Sequence, residues 1–134
     1  MEKTEIIHPE RADKNFSTGA FSAGVLIDGW VYVSGQAAVD FKTGTFKLGT
    51  IEEETKLTMH NIGCILREAG CDFDDVVKCT VHLADIKDFD VYNKIYATYF
   101  TGVKPARTTV QSVMANNIKI EIDAIARIKT KSRL

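Results

Sequence analysis

A run of alternating apolar and polar residues near the C-terminus constrains the fold more than any other part of the chain. Five apolar residues recur there at every second position: Ile118, Ile120, Ile122, Ala124 and Ala126. Charged residues occupy the positions between the isoleucines. Because successive side chains of a β-strand point to opposite sides, this run predicts a strand with one apolar and one polar face.

The segment 105–113 precedes this strand across the polar turn 115–117, which predicts a β-hairpin of the two segments. In the register that keeps the apolar residues together, Arg107 shares the polar face with Glu121. A shift by one residue would place the Arg107 charge among isoleucines, at a large cost in desolvation. The pattern alone leaves two interpretations open, a solvated ion pair or a binding site for an acidic ligand.

Length and charge limit the classes of function. With 134 residues the chain can bury a core, and we expect 1–134 to form a single domain. The net charge of −1 and the absence of a Lys/Arg cluster argue against nucleic acid and against an anionic membrane as partners. The sequence has neither an apolar run of 18 residues nor an apolar leader segment. We therefore expect a cytoplasmic protein.

Motifs for metals, cofactors and covalent catalysis are missing. The three cysteines show no C-x-x-C spacing and are expected to be reduced: Cys64, Cys71 and Cys79. The three histidines share no short metal-ligand spacing with one another and are expected at the surface or at an interface: His8, His60 and His82. Neither a phosphate-binding glycine loop nor a G-x-S-x-G motif occurs. We expect no metal and no cofactor.

The remaining segments predict an α+β fold. Strands are expected at 20–27 and 30–34, joined by the tight turn Asp28-Gly29, with a short edge strand before them. A further strand at 76–83 alternates, and four of its residues are expected to point into the core: Val77, Cys79, Val81 and Leu83.

Two helices complete the predicted fold. The first begins with a capping box of Thr50 and Glu53 and extends to about residue 69, before Gly70. The second begins at Asp85 or Asp88 and extends to about residue 100. We expect both on one face of one mixed sheet. The other face would carry a mixture of aromatic and polar residues typical of a subunit interface: Trp30, Tyr32, Ser34, Thr80, Thr109, Gln111 and Val113.

Several short motifs, in this order, resemble the reactive intermediate deaminase (RidA) family from about Asn15 to Arg127. They are Val33-Ser34-Gly35-Gln36, Lys42-Thr43-Gly44, Tyr92-Asn93-Lys94-Ile95-Tyr96, and Pro105-Ala106-Arg107 with Ile120-Glu121-Ile122. The resemblance implies a chorismate-mutase-like fold and a homotrimer with ligand sites in the clefts between subunits. It also implies hydrolysis of 2-imino or 2-enamino acids to 2-keto acids and ammonia, without a cofactor.

The resemblance also implies roles for five residues. Arg107 would bind the substrate carboxylate in a bidentate manner, and Glu121 would position water and transfer protons. Ser34 and Asn93 would line the cleft. Phe21 stands in Gly19-Ala20-Phe21-Ser22-Ala23, where the family pattern is Gly-Pro-Tyr-Ser-Gln. The loss of the tyrosine hydroxyl predicts a preference for imino acids with larger apolar side chains.

Two alternatives to the deaminase stay open at this point. The same cleft could serve a non-catalytic binding module for a keto acid or an amino-acid derivative. A ribonuclease or translation inhibitor is less favoured, because the chain is mildly acidic.

Overall fold

The computed structural model describes residues 2–12 and 19–129. Its strands are β1 (Thr4–Ile6), β2 (Gly24–Ile27), β3 (Trp30–Gln36), β4 (Val39–Asp40), β5 (Thr45–Phe46), β6 (Val76–Leu83), β7 (Ala106–Gln111) and β8 (Ile120–Arg127). Its helices are α1 (Ile51–Glu68) and α2 (Phe89–Ala97). Within the described ranges, no helix combines the length and the apolar character that crossing a membrane requires.

Six strands form one mixed sheet in the order β1-β2-β3-β8-β6-β7. Its neighbouring strands are antiparallel except β6 and β7, which run parallel. Parallel neighbours need a crossover connection, and α2 supplies it. Both helices pack on one face, where their buried residues form a single core with the inward residues of the strands. The predicted α+β fold is confirmed.

Local signals in the sequence have the predicted effect. Asp28 and Gly29 have positive φ angles of 53° and 77° and join β2 to β3. Thr50 Oγ1 accepts a hydrogen bond from Glu53 N (3.1 Å), and Glu53 Oε1 accepts one from Thr50 N (2.9 Å), which completes the capping box of α1. The second helix ends earlier than predicted, at Ala97, and follows a 3₁₀ turn that Asp85 caps.

The predicted hairpin of 105–113 with the C-terminal strand is wrong, because β7 and β8 are not neighbours. Strand β6 lies between them, parallel to β7 and antiparallel to β8. Asn116 and Asn117, with φ angles of 59° and 58°, instead belong to a connection that passes the end of β6. A turn signal is local, whereas the choice of strand partner depends on residues far away in sequence. The turn residues 115–117 therefore gave no indication that β6 lies between β7 and β8.

This strand order also changes the face on which Arg107 lies. The parallel register aligns Arg107 with Cys79, which is buried beneath the helices. Glu121 is aligned with His82 and alternates with the buried Ile120, so it faces away from the helices. Arg107 and Glu121 thus lie on opposite faces of the sheet. The prediction that they share a face is wrong.

Two further residues differ from expectation. Val77 is 44% exposed, because an irregularity in the β6–β8 ladder between Val76 and Lys78 turns Val76 inward instead. His8 is fully buried and stacks on Phe41 with ring centroids 3.9 Å apart, so the predicted surface or interface position is wrong for this histidine. The sheet face opposite the helices does carry exposed aromatic residues, with Trp30 37% and Tyr32 46% exposed.

Candidate active site

The Arg107 guanidinium lies in a cage of aromatic rings that α2 provides. Its central carbon is 4.8 Å from the ring centre of Tyr96, 5.4 Å from that of Tyr92 and 5.6 Å from that of Phe89. Residues three or four apart share a helix face, so these three rings point together toward β7. Cation–π contacts stabilise a charge that would otherwise be costly on the helix side of the sheet. The cage explains why Arg107 can lie there.

The hydrogen-bond partner of Arg107 is neutral. Its Nη1 donates to Asn93 Oδ1 at 2.7 Å. In the part of the chain that the structure describes, no carboxylate lies within 4.0 Å of this guanidinium. A guanidinium has five N–H donors and can bind a carboxylate through two of them. The arrangement therefore suits a ligand that carries a carboxylate.

The groups around Arg107 hold it in place and are poor proton carriers. Tyr92 Oη and Thr109 Oγ1 share a hydrogen bond of 2.6 Å, which ties α2 to β7 and places Thr109 on the helix face, not on the predicted open face. Burial raises the pKa of Tyr92 and also that of Tyr96. Burial likewise raises the pKa of the Cys79 thiol. The groups around Arg107 therefore support the binding of a ligand and not the transfer of protons.

All three cysteines are free and buried. Burial raises the pKa of each thiol, to about 11 for Cys71. A thiol is a strong nucleophile only as the thiolate, so none of the three is activated for catalysis in this state.

Glu121 lies against the backbone of Gly35 on the face away from the helices. A Cβ atom added to Gly35 would lie 2.8 Å from the Glu121 carboxyl carbon, closer than real Cβ contacts. Only glycine allows the carboxylate this position. Glu121 and Phe21 line a cavity of about 450 Å³ whose wall includes Phe41 and Phe46. A carboxylate at the wall of a largely apolar cavity can orient a water molecule and accept its proton.

Ser34 connects β3 to the segment that carries Phe21. Its Oγ donates to the carbonyl of Ser22 at 2.6 Å, and its N–H donates to the carbonyl of Ala23 at 2.9 Å. The hydroxyl proton is therefore engaged, and only the oxygen lone pairs remain for a ligand. Phe21 is 59% exposed.

The structure separates the five predicted site residues into two groups. The guanidinium group consists of Arg107 and Asn93 on the helix side, and the carboxylate group consists of Glu121, Phe21 and Ser34. Strands β7 and β8 are two strand spacings apart, roughly 10 Å, and the two side chains point to opposite faces. A small substrate cannot contact both groups within one chain.

Sequence analysis missed the cage residues Phe89 and Tyr96 and the cavity residues Phe41 and Phe46 as parts of a site. Aromatic residues at helical spacing are typical of a buried core, and Tyr92 and Tyr96 are indeed buried. The order of strand, helix and strand over residues 76–111 could have indicated these cage residues, because this order is typical of a parallel β-α-β unit. Such a unit places the helix over the second strand, and hence over Arg107.

Comparisons with known proteins find matches that cover most of the chain. A family model described as endoribonuclease L-PSP matches residues 13–128, which include every member of both groups. The 2-iminobutanoate/2-iminopropanoate deaminase of Rattus norvegicus is 50% identical over 109 residues, covering 81% of this chain and 80% of the rat protein.

Solved structures extend the similarity to the fold. The Rid family protein YyfA of Yersinia pestis has a TM-score of 0.87 and 31% identity, covering 95% of this chain and 100% of that protein. The E. coli protein TdcF, solved with bound serine, has a TM-score of 0.82 and 29% identity, covering 94% of this chain and 100% of that protein.

Proposed function

Because the chain belongs to the endoribonuclease L-PSP (RidA) family, we propose that it hydrolyses reactive 2-imino and 2-enamino acids to 2-keto acids and ammonia. The observation that carries this proposal is the Arg107 guanidinium, which is held by a neutral amide and aromatic rings. Its charge is available to the carboxylate of such a substrate. The name of the rat relative, a 2-iminobutanoate/2-iminopropanoate deaminase, supports the same reaction.

In the proposed mechanism, Arg107 binds the substrate carboxylate and Asn93 keeps the guanidinium in orientation. Glu121 holds a water molecule against the imine carbon and takes up its proton as the new C–O bond forms. The electrons of the C=N π bond move to the nitrogen, which takes this proton from Glu121, and a carbinolamine results. Glu121 then takes the proton of the new hydroxyl group and passes it to the nitrogen, so that the C–N bond breaks, the C=O bond of the keto acid forms and ammonia leaves. The imine carbon is already electrophilic, so positioning and proton transfer suffice and no cofactor is required.

We further propose that each site is formed between two copies of the chain, with Arg107 from one and Glu121 from the other. The separation of these residues on opposite sheet faces supports this arrangement. The exposed Trp30 and Tyr32 supply an aromatic surface whose burial would stabilise an oligomer. In keeping with the family resemblance, we propose a homotrimer.

The cavity beside Glu121 supports a substrate with an apolar side chain. Phe21, Phe41 and Phe46 line its wall, and burial of each methylene there would contribute about 0.8 kcal/mol. We propose that Phe21, in place of the family's tyrosine, favours longer aliphatic and aromatic imino acids over the imine of alanine.

A second candidate is a non-catalytic module that binds a keto acid or an amino-acid derivative in the same cleft. The serine bound to E. coli TdcF supports this alternative, since an amino acid has the carboxylate that Arg107 would bind. The ribonuclease activity in the family's description has less support in this chain, whose net charge is −1.

A coupled assay tests the proposed function. An amino-acid oxidase generates the imines of alanine, leucine and phenylalanine in situ, and the release of ammonia and 2-keto acid is followed with and without the protein. We expect acceleration, largest for leucine and phenylalanine, and its loss in Arg107→Ala. Arg67→Ala is the matched control, because Arg67 lies near the end of α1, is half-exposed and forms an ion pair with Asp72 at 3.6 Å.

The outcomes distinguish the candidates. Full activity of Arg107→Ala would show that the proposed site is wrong. Binding of 2-keto acids without any acceleration would favour the binding module, and cleavage of RNA by the wild type but not by Arg107→Ala would favour the ribonuclease.

A further inference from the structure

A cluster of metal-ligating side chains lies between α1 and the N-terminal segment that carries Glu10, and none of them belongs to the proposed deaminase site. His60 and Cys64 are four residues apart and therefore neighbours on the helix surface. His60 Nε2 is 3.5 Å from Cys64 Sγ and 3.0 Å from each carboxylate oxygen of Glu10. Ligand atoms of Glu10, Cys64 and His8 also lie within 4.8 Å of one another. Nitrogen, sulfur and oxygen donors thus converge on one point.

The segment that carries Glu10 is anchored by the buried His8. Asn61 donates its amide hydrogens to two backbone carbonyls, which directs Asn61 Oδ1 toward His8. The histidine must then donate from Nε2 to this oxygen, at 3.1 Å, and accept from the backbone N–H of Glu10 at Nδ1, also at 3.1 Å. Its ring is further held by stacking on Phe41. A fully buried residue therefore positions Glu10 over α1.

The distance between the nitrogen and sulfur donors matches that of a tetrahedral zinc site. Zinc binds imidazole nitrogen at roughly 2.0–2.1 Å and thiolate sulfur at roughly 2.3 Å, which places the two donors about 3.5 Å apart in a tetrahedron. The distance between His60 Nε2 and Cys64 Sγ has this value. We propose that Glu10, His60 and Cys64 form a binding site for a divalent cation of the zinc class, with a fourth position for water or an external ligand.

The chemical types of the three proposed ligands indicate which metal ion the site prefers. A thiolate and an imidazole favour Zn²⁺ over Mg²⁺ and Ca²⁺, which require oxygen ligands. Glu10 and His60 also line a surface cavity of about 630 Å³, which gives the metal a path of entry. Sequence analysis expected no metal because it compared histidines only with one another. The informative spacing is that between His60 and Cys64, which are four residues apart. The third ligand of the site, Glu10, comes from the N-terminal segment.

Metal titration of the purified full-length chain tests the site. The protein is stripped with a chelator, loaded with Zn²⁺ or Co²⁺ and dialysed. We expect one zinc per chain and, with cobalt, a sulfur-to-cobalt charge-transfer band in the near ultraviolet with tetrahedral d–d bands. Cys64→Ser should remove the charge-transfer band. Cys71→Ser is the matched control and should retain it, because Cys71 is also a buried free thiol but lies outside the cluster.

A second variant covers the case in which Cys64→Ser fails to fold. His60 is exposed, so His60→Ala should fold normally and lower zinc affinity at least 10-fold, as measured by competition with a chromophoric chelator. The absence of retained zinc in the wild type, a cobalt spectrum without a sulfur band, or unchanged affinity in His60→Ala would each overturn the proposal. Because the test reads metal binding directly, its result is independent of the deaminase assay.

Discussion

At the scale of single residues, the neighbours of Arg107 distinguish it from the paired cations of the chain. Lys119 Nζ is 3.1 Å from the buried carboxylate of Glu54, and Arg67 lies 3.6 Å from a carboxylate oxygen of Asp72. A cation already paired in this way could bind an acidic ligand only by giving up its partner. Asn93, in contrast, fixes the Arg107 guanidinium without neutralising it. The neutral partner is what keeps the charge available.

Replacement of Asn93 by aspartate tests this interpretation. Asn93→Asp places a carboxylate at the position of an oxygen 2.7 Å from the guanidinium, where it competes with the substrate carboxylate. We expect KM to rise at least 10-fold, and more than in Asn93→Ala, while the melting temperature does not fall. Steady-state kinetics in the coupled assay and thermal denaturation provide the measurements. Equal KM values for the two variants would argue against carboxylate binding by Arg107.

Gly35 offers a second test, because its lack of a side chain makes room for Glu121. In Gly35→Ala the new methyl group must displace the carboxylate, which is the flexible end of a side chain. We therefore expect kcat to fall about 10–100-fold, while the free energy of unfolding changes by less than about 1 kcal/mol.

The control for this variant is Gly102→Ala, since the nearest atom to a Cβ at Gly102 is 3.9 Å away. It should leave kcat unchanged. A fully active Gly35→Ala enzyme would mean that the observed position of Glu121 has no part in catalysis.

At the scale of elements, the start of α1 is attached to the start of β8 through Glu54. The first turn of α1 has three glutamates, and the expected role of such residues is a favourable interaction with the helix dipole. Glu54 is in fact fully buried and accepts hydrogen bonds from Gly49 N (3.1 Å), Lys119 N (2.9 Å) and Lys119 Nζ (3.1 Å). Since Glu121 follows two residues after Lys119, this contact also supports the strand that carries the proposed base.

We expect Glu54→Ala to lower the free energy of unfolding by about 2–3 kcal/mol, because it leaves three hydrogen-bond donors without their acceptor. Glu52→Ala is the matched control, since Glu52 lies in the same turn but is exposed, and it should change stability by less than about 0.5 kcal/mol. Urea denaturation followed by circular dichroism measures both. Similar losses in the two variants would show that the dipole interaction, and not the buried contact, explains the role of Glu54.

At the scale of the whole molecule, the separation of the guanidinium and carboxylate groups requires a second chain for the proposed chemistry. Such a requirement makes activity a property of the oligomer and not of the folded subunit. The exposed aromatic residues of the helix-free sheet face would provide the surface for the proposed association. Sedimentation at micromolar concentration should give about three chain masses if the proposed trimer is correct.

Mixing of two inactive variants tests the shared site. Chains with Arg107→Ala keep Glu121, and chains with Glu121→Gln keep Arg107, so co-expression should create some sites with both wild-type groups. In a random trimer we expect about a quarter of the wild-type activity, because each site draws one group from each of two neighbouring chains. The coupled assay measures this recovery.

Each variant expressed alone is the control, together with the same variants mixed under conditions in which the chains do not exchange. Failure of the co-expressed pair to recover activity, with both variants inactive alone and trimers formed, would place both groups in the same chain and contradict the shared site.

Features that depend only on neighbouring residues could be predicted from the amino-acid pattern. The turn at Asp28-Gly29, the capping box that begins α1 and the alternation of β8 are local effects of backbone conformation, capping and side-chain direction. Their energies depend little on the rest of the chain, so the pattern predicted them correctly. The five site residues came from short motifs that resemble the family, and their roles stay predictions. The structure places Phe21 and Glu121 at the cavity and joins Asn93 to Arg107 by a hydrogen bond.

Which elements are neighbours could be known only from the folded chain. The insertion of β6 between β7 and β8 moved Arg107 to the helix side. Contacts between other distant segments buried His8 against Phe41 and placed Glu54 against Lys119. Several pairings of the same strands satisfy the apolar alternation equally well, because alternation specifies a face and not a partner. The choice among them depends on packing of the whole core, in which distant segments compete for the same surface.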